Sequence, residues 1–305
     1  MVGSAAEERP DAEGLVRLPA PIDLRRTLAP LAHGSGDPTI RFASDSIWRA
    51  IITVDGPATL RLTEVGEGVA VAAWGTGAEA ALAGAADLVG ANDDPTQLKP
   101  RHPLLADLAR RNRGLRLPRT NRPFEALLPA ICEQKVTGVE ARAAFRGIVR
   151  AHGEPAPGPG GLRLPPTSSV LAGLPYFAFH RFGLERRRAE VIIAAARLAP
   201  RLEGSDSAEV IRRLGAVPGI GPWTLAEVAR VAFGDPDAVS VGDFHLPNLV
   251  AWALAGEPRA DDARMLELLE PYRGQRGRVQ RLLEASGLQA PRYGPRMAPR
   301  RIADM

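Results

Sequence analysis

Residues 214–248 constrain the fold of this chain more than any other stretch. They place the run VPGIG, residues 217–221, between two segments with the apolar periodicity of helices. Gly215 marks the end of the first predicted helix, and Pro222 marks the first turn of the second. Two glycines one residue apart at a helix entrance leave backbone N–H groups uncovered, which favours an anion such as a phosphate. An ordinary turn between packed helices is the alternative interpretation.

A carboxylate, Asp243, follows this hairpin at the start of another predicted helix. As a helix N-cap, Asp243 has a purely structural role. Beside a phosphate-binding hairpin, the same carboxylate is suited to stabilise positive charge that develops on a sugar. Taken alone, this part of the sequence leaves both roles open.

The hairpin, the pair Trp223-Thr224 and an aspartate at this distance together resemble the helix-hairpin-helix and Gly/Pro-Asp signature of the DNA glycosylase superfamily. The spacing from Trp223 to Asp243 is similar to that of the bacterial 3-methyladenine DNA glycosylase II branch. The resemblance implies double-stranded DNA with damaged bases as the partner and Asp243 as the catalytic residue. In the hairpin segment it implies DNA contacts at Gly219, Ile220, Gly221, Trp223 and Thr224.

A second segment, EQKVTG at residues 133–138, separates two predicted helices. It resembles a family segment in which the residue after a glutamine wedges into the DNA base stack. Gln134 and Lys135 occupy these positions, so the resemblance implies that both contact DNA. Lys135 stands where the type member has leucine, but its stem can fill the gap and its ammonium can reach a phosphate. A solvated lysine is the alternative, although the chain has only two lysines.

The resemblance further implies a monofunctional enzyme and a bound ion. Bifunctional members carry a hairpin lysine that forms a Schiff base and nicks the strand, whereas Trp223 occupies that position here. We therefore predict no lyase activity and an abasic product. The family hairpin binds a monovalent cation, Na⁺ or K⁺, through main-chain carbonyls that correspond to Gly215, Val217 and Gly219. No other cofactor is expected.

The predicted base pocket departs from the family pattern. Aromatic residues line it in the type member, and the matching positions here carry Glu227, Arg281 and Leu282. Glu227 would attract a cationic alkylated base electrostatically. Phe177 and Phe179, in a nearby aromatic cluster, are candidates for a slot that stacks on a flipped base, with core packing as the alternative.

Composition narrows the class of protein. The chain is 45% hydrophobic and 24% charged, as globular proteins are, and its net charge of +4 fits a polyanionic partner. A single cysteine, Cys132, excludes an intrachain disulfide and a cysteine-ligated iron-sulfur cluster. No apolar run approaches the roughly 20 residues that span a bilayer, and the acidic N-terminus does not resemble a signal peptide. We expect a cytoplasmic, nucleoid-associated monomer without a membrane partner.

Strand-like alternation up to residue 74 and helical periodicity from residue 96 onward predict an α+β protein. A small N-terminal antiparallel β-sheet domain with helices is expected to precede an all-α helix-hairpin-helix glycosylase domain. The predicted boundaries are residues 1–20 for a disordered N-terminus, 21–97 for the α+β domain, 98–290 for the helical domain and 291–305 for a basic tail.

The leading functional hypothesis is a monofunctional DNA glycosylase of base excision repair. It would hydrolyse the N-glycosidic bond of alkylated purines in duplex DNA by base flipping, assisted by Asp243. A non-catalytic helix-hairpin-helix DNA-binding protein and a glycosylase for oxidised or mismatched bases are the alternatives. Asp243 argues against the first, because a carboxylate weakens binding to a polyanion. The second stays open, because specificity depends on pocket residues.

Overall fold

The computed structural model of the chain describes residues 8–291. An antiparallel sheet is followed by helices, which confirms the predicted α+β fold. The strands are β1 (Ala12–Arg17), β2 (Ile40–Phe42), β3 (Ile47–Thr53), β4 (Gly56–Val65) and β5 (Gly68–Trp74). The helices are α1 (Leu24–Leu28), α2 (Ala78–Ala83), α3 (Ala85–Leu88), α4 (Pro103–Arg111), α5 (Pro123–Cys132), α6 (Gly138–His152), α7 (Ser168–Ala172), α8 (Arg186–Leu198), α9 (Ser207–Gly215), α10 (Pro222–Phe233), α11 (Leu246–Ala255), α12 (Asp262–Leu269) and α13 (Arg276–Ala285). Between residues 8 and 291 there is no helix of the length and apolar character that crossing a membrane requires.

The five strands pair in the order β1-β5-β4-β3-β2, and every neighbouring pair is antiparallel. Leu60 and Leu62 of β4 lie on either side of the more exposed Arg61, as the alternation of a strand predicts. Both leucines are fully buried in the same apolar cluster as Ala78 and Ala81 of α2. The N-terminal part of the chain therefore has a core of its own, between the sheet and the short helices that follow it.

Strand β1 corrects the prediction that residues 1–20 are disordered. It pairs with β5 from Ala12, opposite Ala73, to Arg17, opposite Gly68. Immediately before it, the Nε1 group of Trp74 donates a hydrogen bond to the carbonyl of Glu8 at 2.8 Å. The prediction failed because this polar segment is ordered by a partner far away in sequence. Residues 1–7 of the predicted disordered segment, and residues 292–305 of the predicted basic tail, lie outside the described residues.

The helices surround two further apolar cores. One joins α5, α6, α8, α9 and α10 and contains Ile131 and Ile192, while the other joins α4, α11, α12 and α13 and contains Val250 and Met265. The hairpin belongs to the first core, since its Ile220 side chain is buried there. Helix α10 packs in one core and helix α13 in the other. Two separately packed helices therefore form walls of the cavity between them.

A buried ion pair joins the end of the sheet domain to the last helix. Arg278 of α13 donates from Nη1 to Oδ2 of Asp93 at 3.0 Å and from Nη2 to Oδ1, and the two side chains are only 5% and 10% exposed. Asp93 also accepts from the backbone N–H of Leu117 at 3.0 Å. The pair holds α13, which lines the cavity, in place against the preceding domain.

Candidate active site

The hairpin between α9 and α10 has the sharp geometry that its glycines predict. The N–H of Ile220 donates to the carbonyl of Val217 at 3.1 Å and closes the turn. Gly219 has a φ of 95°, in the region that favours glycine. A Cβ at Gly219 would also lie 2.5 Å from Cγ2 of Val191, so backbone and packing both require glycine. Gly221 caps α10, and the space that its Cβ would occupy is open.

Gln134 holds this hairpin from the segment between α5 and α6. Its Nε2 group donates to the carbonyl of Gly219 at 3.0 Å and to Oγ1 of Thr224 at 2.9 Å. Thr224 and Ile220 are only 2% and 7% exposed. Little of either residue is therefore exposed, and their contacts with DNA stay a prediction. Gln134 couples the proposed wedge segment to the hairpin.

Lys135 lies in the turn between α5 and α6 with an exposed side chain. Its φ of 54° is uncommon for a residue other than glycine. A capping box follows it, in which Thr137 and Glu140 bond each other's backbone N–H groups at 3.3 and 2.9 Å. The anchored Gln134 on one side and this helix start on the other restrain the backbone of Lys135. Its role as a wedge stays a prediction.

Asp243 combines a structural role with a half-buried position in the wall of a cavity. Its Oδ1 atom accepts hydrogen bonds from the backbone N–H groups of His245 at 2.7 Å and Leu246 at 2.8 Å, at the start of α11. Its Oδ2 atom accepts from Nε1 of Trp223 at 3.3 Å. The sequence left a helix cap and a functional carboxylate open, and the geometry makes Asp243 a capping residue whose second oxygen is anchored on α10.

A cavity of about 400 Å³ opens beside Asp243, within the size range of small-ligand sites. Helices α10, α11 and α13 form most of its walls, and Pro30 contributes from the N-terminal domain. Glu227 and Arg281, which the sequence assigned to the base pocket, both line it. Among the polar lining residues that the sequence did not single out are Arg230, Gln280 and Glu284.

These polar residues form one hydrogen-bond network with Ser240. Arg230 donates from Nη1 to Oε1 of Glu227 at 2.9 Å and from Nη2 to Oε2 of Glu284 at 2.7 Å. Gln280 donates from Nε2 to Oγ of Ser240 at 2.9 Å and to Oε1 of Glu284 at 2.7 Å. Its Oε1 atom accepts from the backbone N–H of Ser240 at 3.1 Å. One guanidinium therefore serves two carboxyl groups.

The network changes the proton affinity of its members. Burial raises the pKa of Glu227, and the neighbouring carboxylates Glu284 and Glu133 act in the same direction, against Arg230 and the Ser240 hydroxyl. Burial would lower the pKa of Arg230, but Glu284 and Glu227 outweigh it and raise that pKa. The cavity thus holds a permanently charged guanidinium and a carboxyl group that keeps its proton to higher pH than usual.

No family model matches the chain, and no curated protein matches its sequence. Solved structures do match. The chain is similar to a 3-methyladenine DNA glycosylase from Archaeoglobus fulgidus, with a TM-score of 0.76 and 19% identity over 89% of this chain and 97% of that one. It is similar to the apo form of an 8-oxoguanine glycosylase/lyase from Clostridium acetobutylicum, with a TM-score of 0.69 and 16% identity over 91% and 96%. A 3-methyladenine DNA glycosylase from Schizosaccharomyces pombe, in complex with abasic DNA, matches with a TM-score of 0.51 and 17% identity over 65% and 98%.

The chain has the helix-hairpin-helix DNA glycosylase fold. The first two matches span nearly the whole of both partners, so the sheet and the helices belong to one shared architecture. This confirms the fold that the hairpin and Asp243 implied. Sequence identities below 20% support a shared fold and nothing finer. The roles of individual residues are therefore argued from the geometry of the site.

Two residues assigned to the base pocket lie elsewhere in this glycosylase fold. Phe179 is fully buried in the core that contains α5 and α8, so it has no face to offer a flipped base. Phe177 is 62% exposed, and neither ring lines the cavity beside Asp243. Phe179 is therefore not available for the predicted stacking slot, and stacking of a base on Phe177 stays a prediction. The core-packing alternative holds for Phe179, because aromatic residues closely spaced in sequence serve packing as readily as stacking.

The carbonyls predicted to bind a cation have free acceptor capacity. Gly215 is the last residue of α9, where helix carbonyls lack intrahelical partners. The carbonyls of Val217 and Gly219 each accept a hydrogen bond, from Ile220 and Gln134, and each has a second lone pair. Neutral oxygen donors of this kind suit a hard cation, and binding of Na⁺ or K⁺ stays a prediction. Within residues 8–291, no group of three or more His, Cys, Asp or Glu side chains is placed to hold a metal ion.

Proposed function

We propose that this protein is a monofunctional DNA glycosylase that removes alkylated purines from duplex DNA and leaves an abasic site. The observation that carries the proposal is the position of Asp243. Its carboxylate is fixed at the start of α11, beside the hairpin, and lines a cavity of the size of a small ligand. Capping the helix does not require a charge, since asparagine serves as well as aspartate, and a protein that only bound DNA would be weakened by a carboxylate held there.

In this proposal the hairpin binds the DNA backbone while one nucleotide leaves the stack. Base flipping costs a few kcal/mol, and contacts of the open amides near Gly221 with a phosphate offset part of that cost. Lys135 would fill the gap that the base leaves. A Na⁺ or K⁺ ion on the carbonyls of Gly215, Val217 and Gly219 would supply positive charge towards a phosphate.

The chemistry follows from the position of Asp243 at the cavity. When the flipped base occupies the cavity, the sugar lies at its entrance, and the bond from C1′ to the base stretches. Positive charge then develops on the sugar, and the Asp243 carboxylate stabilises it. A water molecule adds to C1′ and loses a proton, while the base departs with the electron pair of the broken bond.

The charge of the cavity supports a cationic purine as the substrate. Its lining contains five carboxyl groups and two guanidinium groups. These are Glu133, Glu227, Asp235, Asp243 and Glu284, against Arg230 and Arg281. An excess of acidic groups in a protein that binds a polyanion is unfavourable for binding DNA itself. It favours a base that alkylation has made positive.

The residue at the lyase position supports the monofunctional reaction. Trp223 donates a hydrogen bond to Asp243 from that position and has no nucleophilic amine. Among the described residues that line the cavity there is no lysine. A Schiff base with the sugar therefore has no candidate amine in the cavity wall.

The test uses duplexes that each carry one 7-methylguanine, 3-methyladenine, 8-oxoguanine or uracil. After incubation, alkali converts abasic sites to strand breaks. We expect excision of the two methylated purines and no strand cleavage before alkali. Tight DNA binding without excision would refute the enzymatic function, and nicking without alkali would refute the monofunctional reaction. Excision restricted to 8-oxoguanine or uracil would assign the enzyme to another substrate class.

A further inference from the structure

We propose that Glu227 is a general acid in this glycosylase, which protonates the departing purine and so extends the reaction to uncharged purines such as hypoxanthine. The inference rests on the proposed function and gives two carboxyl groups of the cavity separate roles. Asp243 acts on the sugar, and Glu227 acts on the base.

Helix α10 places Glu227 at the end of the cavity where the base, rather than the sugar, would lie. Trp223 and Glu227 are four residues apart, so they share one face of the helix and are separated by about 6 Å of rise. Trp223 contacts Asp243, and all three residues line the cavity. A base whose sugar lies at Asp243 therefore extends along α10 towards Glu227. The Glu227 side chain is 22% exposed, which leaves it accessible from the cavity that it lines.

The network determines which oxygen of Glu227 carries the proton. Gln280 accepts from the backbone N–H of Ser240 through Oε1, so its Nε2 group donates to the Ser240 hydroxyl. Arg230 also donates to that hydroxyl, at 3.1 Å. The single hydroxyl hydrogen of Ser240 is therefore directed to Oε1 of Glu227, 2.5 Å away. Among the described residues, both hydrogen bonds to Glu227 arrive at Oε1, which assigns the proton to Oε2.

Burial, aided by two neighbouring carboxyl groups, favours the protonated form of Glu227. Arg230, on the same helix, divides its guanidinium between Glu227 and Glu284 of α13, so one positive charge faces two carboxyl groups. Glu133, after α5, adds a third carboxyl group, and Ser240 contributes only a neutral hydroxyl. Burial is the largest effect, and it raises the pKa of Glu227 against Arg230 and the Ser240 hydroxyl. The acid form therefore persists to higher pH than in a free glutamate, and it is lost as the pH rises through the raised pKa.

The proposed step balances as a hydrolysis. A cationic methylated purine leaves as a neutral base, but an uncharged purine leaves as an anion unless it gains a proton. As the C1′–N9 bond breaks, its electron pair moves to the base, and the proton on Oε2 of Glu227 moves to a ring nitrogen of the base. Asp243 stabilises the sugar cation, and water adds to C1′ and releases a proton. Glu227 then takes up a proton from solvent.

The experiment compares single-turnover excision of hypoxanthine and 7-methylguanine from otherwise identical duplexes. The variants are Glu227→Gln and, as a matched control in the same network, Glu284→Gln. In Glu227→Gln we expect the hypoxanthine rate to fall about 100-fold more than the 7-methylguanine rate, since a general acid contributes at least that much. Glu284→Gln keeps the acid but removes a carboxylate that raises its pKa, so it should affect both rates in the same proportion at low pH and move the decline of the hypoxanthine rate to lower pH. The wild-type hypoxanthine rate should fall at high pH, and this decline should be absent in Glu227→Gln.

Two results in a folded Glu227→Gln variant would overturn the inference. Equal loss on both bases would give Glu227 a structural role, and greater loss on 7-methylguanine would mean that an ionised Glu227 attracts the cation. A wild-type protein that excises 7-methylguanine but not hypoxanthine would also overturn the inference and leave the proposed function intact. Excision of neither base would instead refute the proposed function.

Discussion

The substitution Asp243→Asn tests the proposed chemistry most directly, because it removes the charge and keeps the cap. An asparagine Oδ1 atom can still accept from the N–H groups of His245 and Leu246, and asparagine is as good an N-cap as aspartate. The loss of a negative charge near the start of α11 costs less than about 1 kcal/mol of stability. The fold should therefore survive the substitution.

The expected loss of rate follows from the charge on the sugar. A carboxylate about 4 Å from a unit positive charge contributes about 4 kcal/mol at the effective dielectric constant of a protein surface. Each 1.36 kcal/mol corresponds to about a tenfold change in rate. Asp243→Asn should consequently slow single-turnover excision of 7-methylguanine by roughly a thousandfold.

The assay measures excision with enzyme in excess over a labelled duplex, alongside a thermal melt and DNA affinity by fluorescence anisotropy. Asp243→Ala serves as the matched control, because it loses both the charge and the cap. It should show the same loss of rate as Asp243→Asn, with about 1 kcal/mol less stability. If Asp243→Asn kept the wild-type rate within a few-fold, or lost rate only in step with DNA affinity, the reasoning about Asp243 would be refuted.

Three further predictions concern the DNA-binding segments and the domain contact. Lys135→Ala should slow excision of well-paired lesions more than mispaired ones, because a wedge matters most when the base must be forced out; equal loss would contradict the wedge. Gln134→Ala should weaken duplex binding, measured by anisotropy, because the Gly219 carbonyl loses its anchor; unchanged affinity would mean that the hairpin holds its own shape. Asp93→Asn should lower the free energy of unfolding in urea by about 3–5 kcal/mol, because it leaves the buried Arg278 unpaired; a shift below about 1 kcal/mol would argue against a buried pair.

The hairpin and the cap could be predicted because their signals are local. Gly219 must be glycine for its positive φ and for its contact with Val191, and only the first reason is visible in sequence. Asp243 caps a helix that begins within three residues, so spacing alone indicates it. Strand β1 could not be predicted in the same way, because its order comes from pairing with β5.

The hydrogen-bond network of the cavity could not be predicted from sequence for the same reason. In sequence, Glu227 is a carboxylate on a helix, and its electrostatic attraction for a cation is the natural interpretation. In the folded chain it shares Arg230 with Glu284, which comes from the last helix, and its Oε1 atom is occupied by Ser240 and Arg230. Burial and the neighbouring Glu284 make a proton on Glu227 favourable in spite of Arg230 and Ser240, whereas Asp243 accepts hydrogen bonds from three N–H donors. Two carboxyl groups in one cavity are thereby given opposite tasks by their surroundings, as acid–base chemistry at a single pH requires.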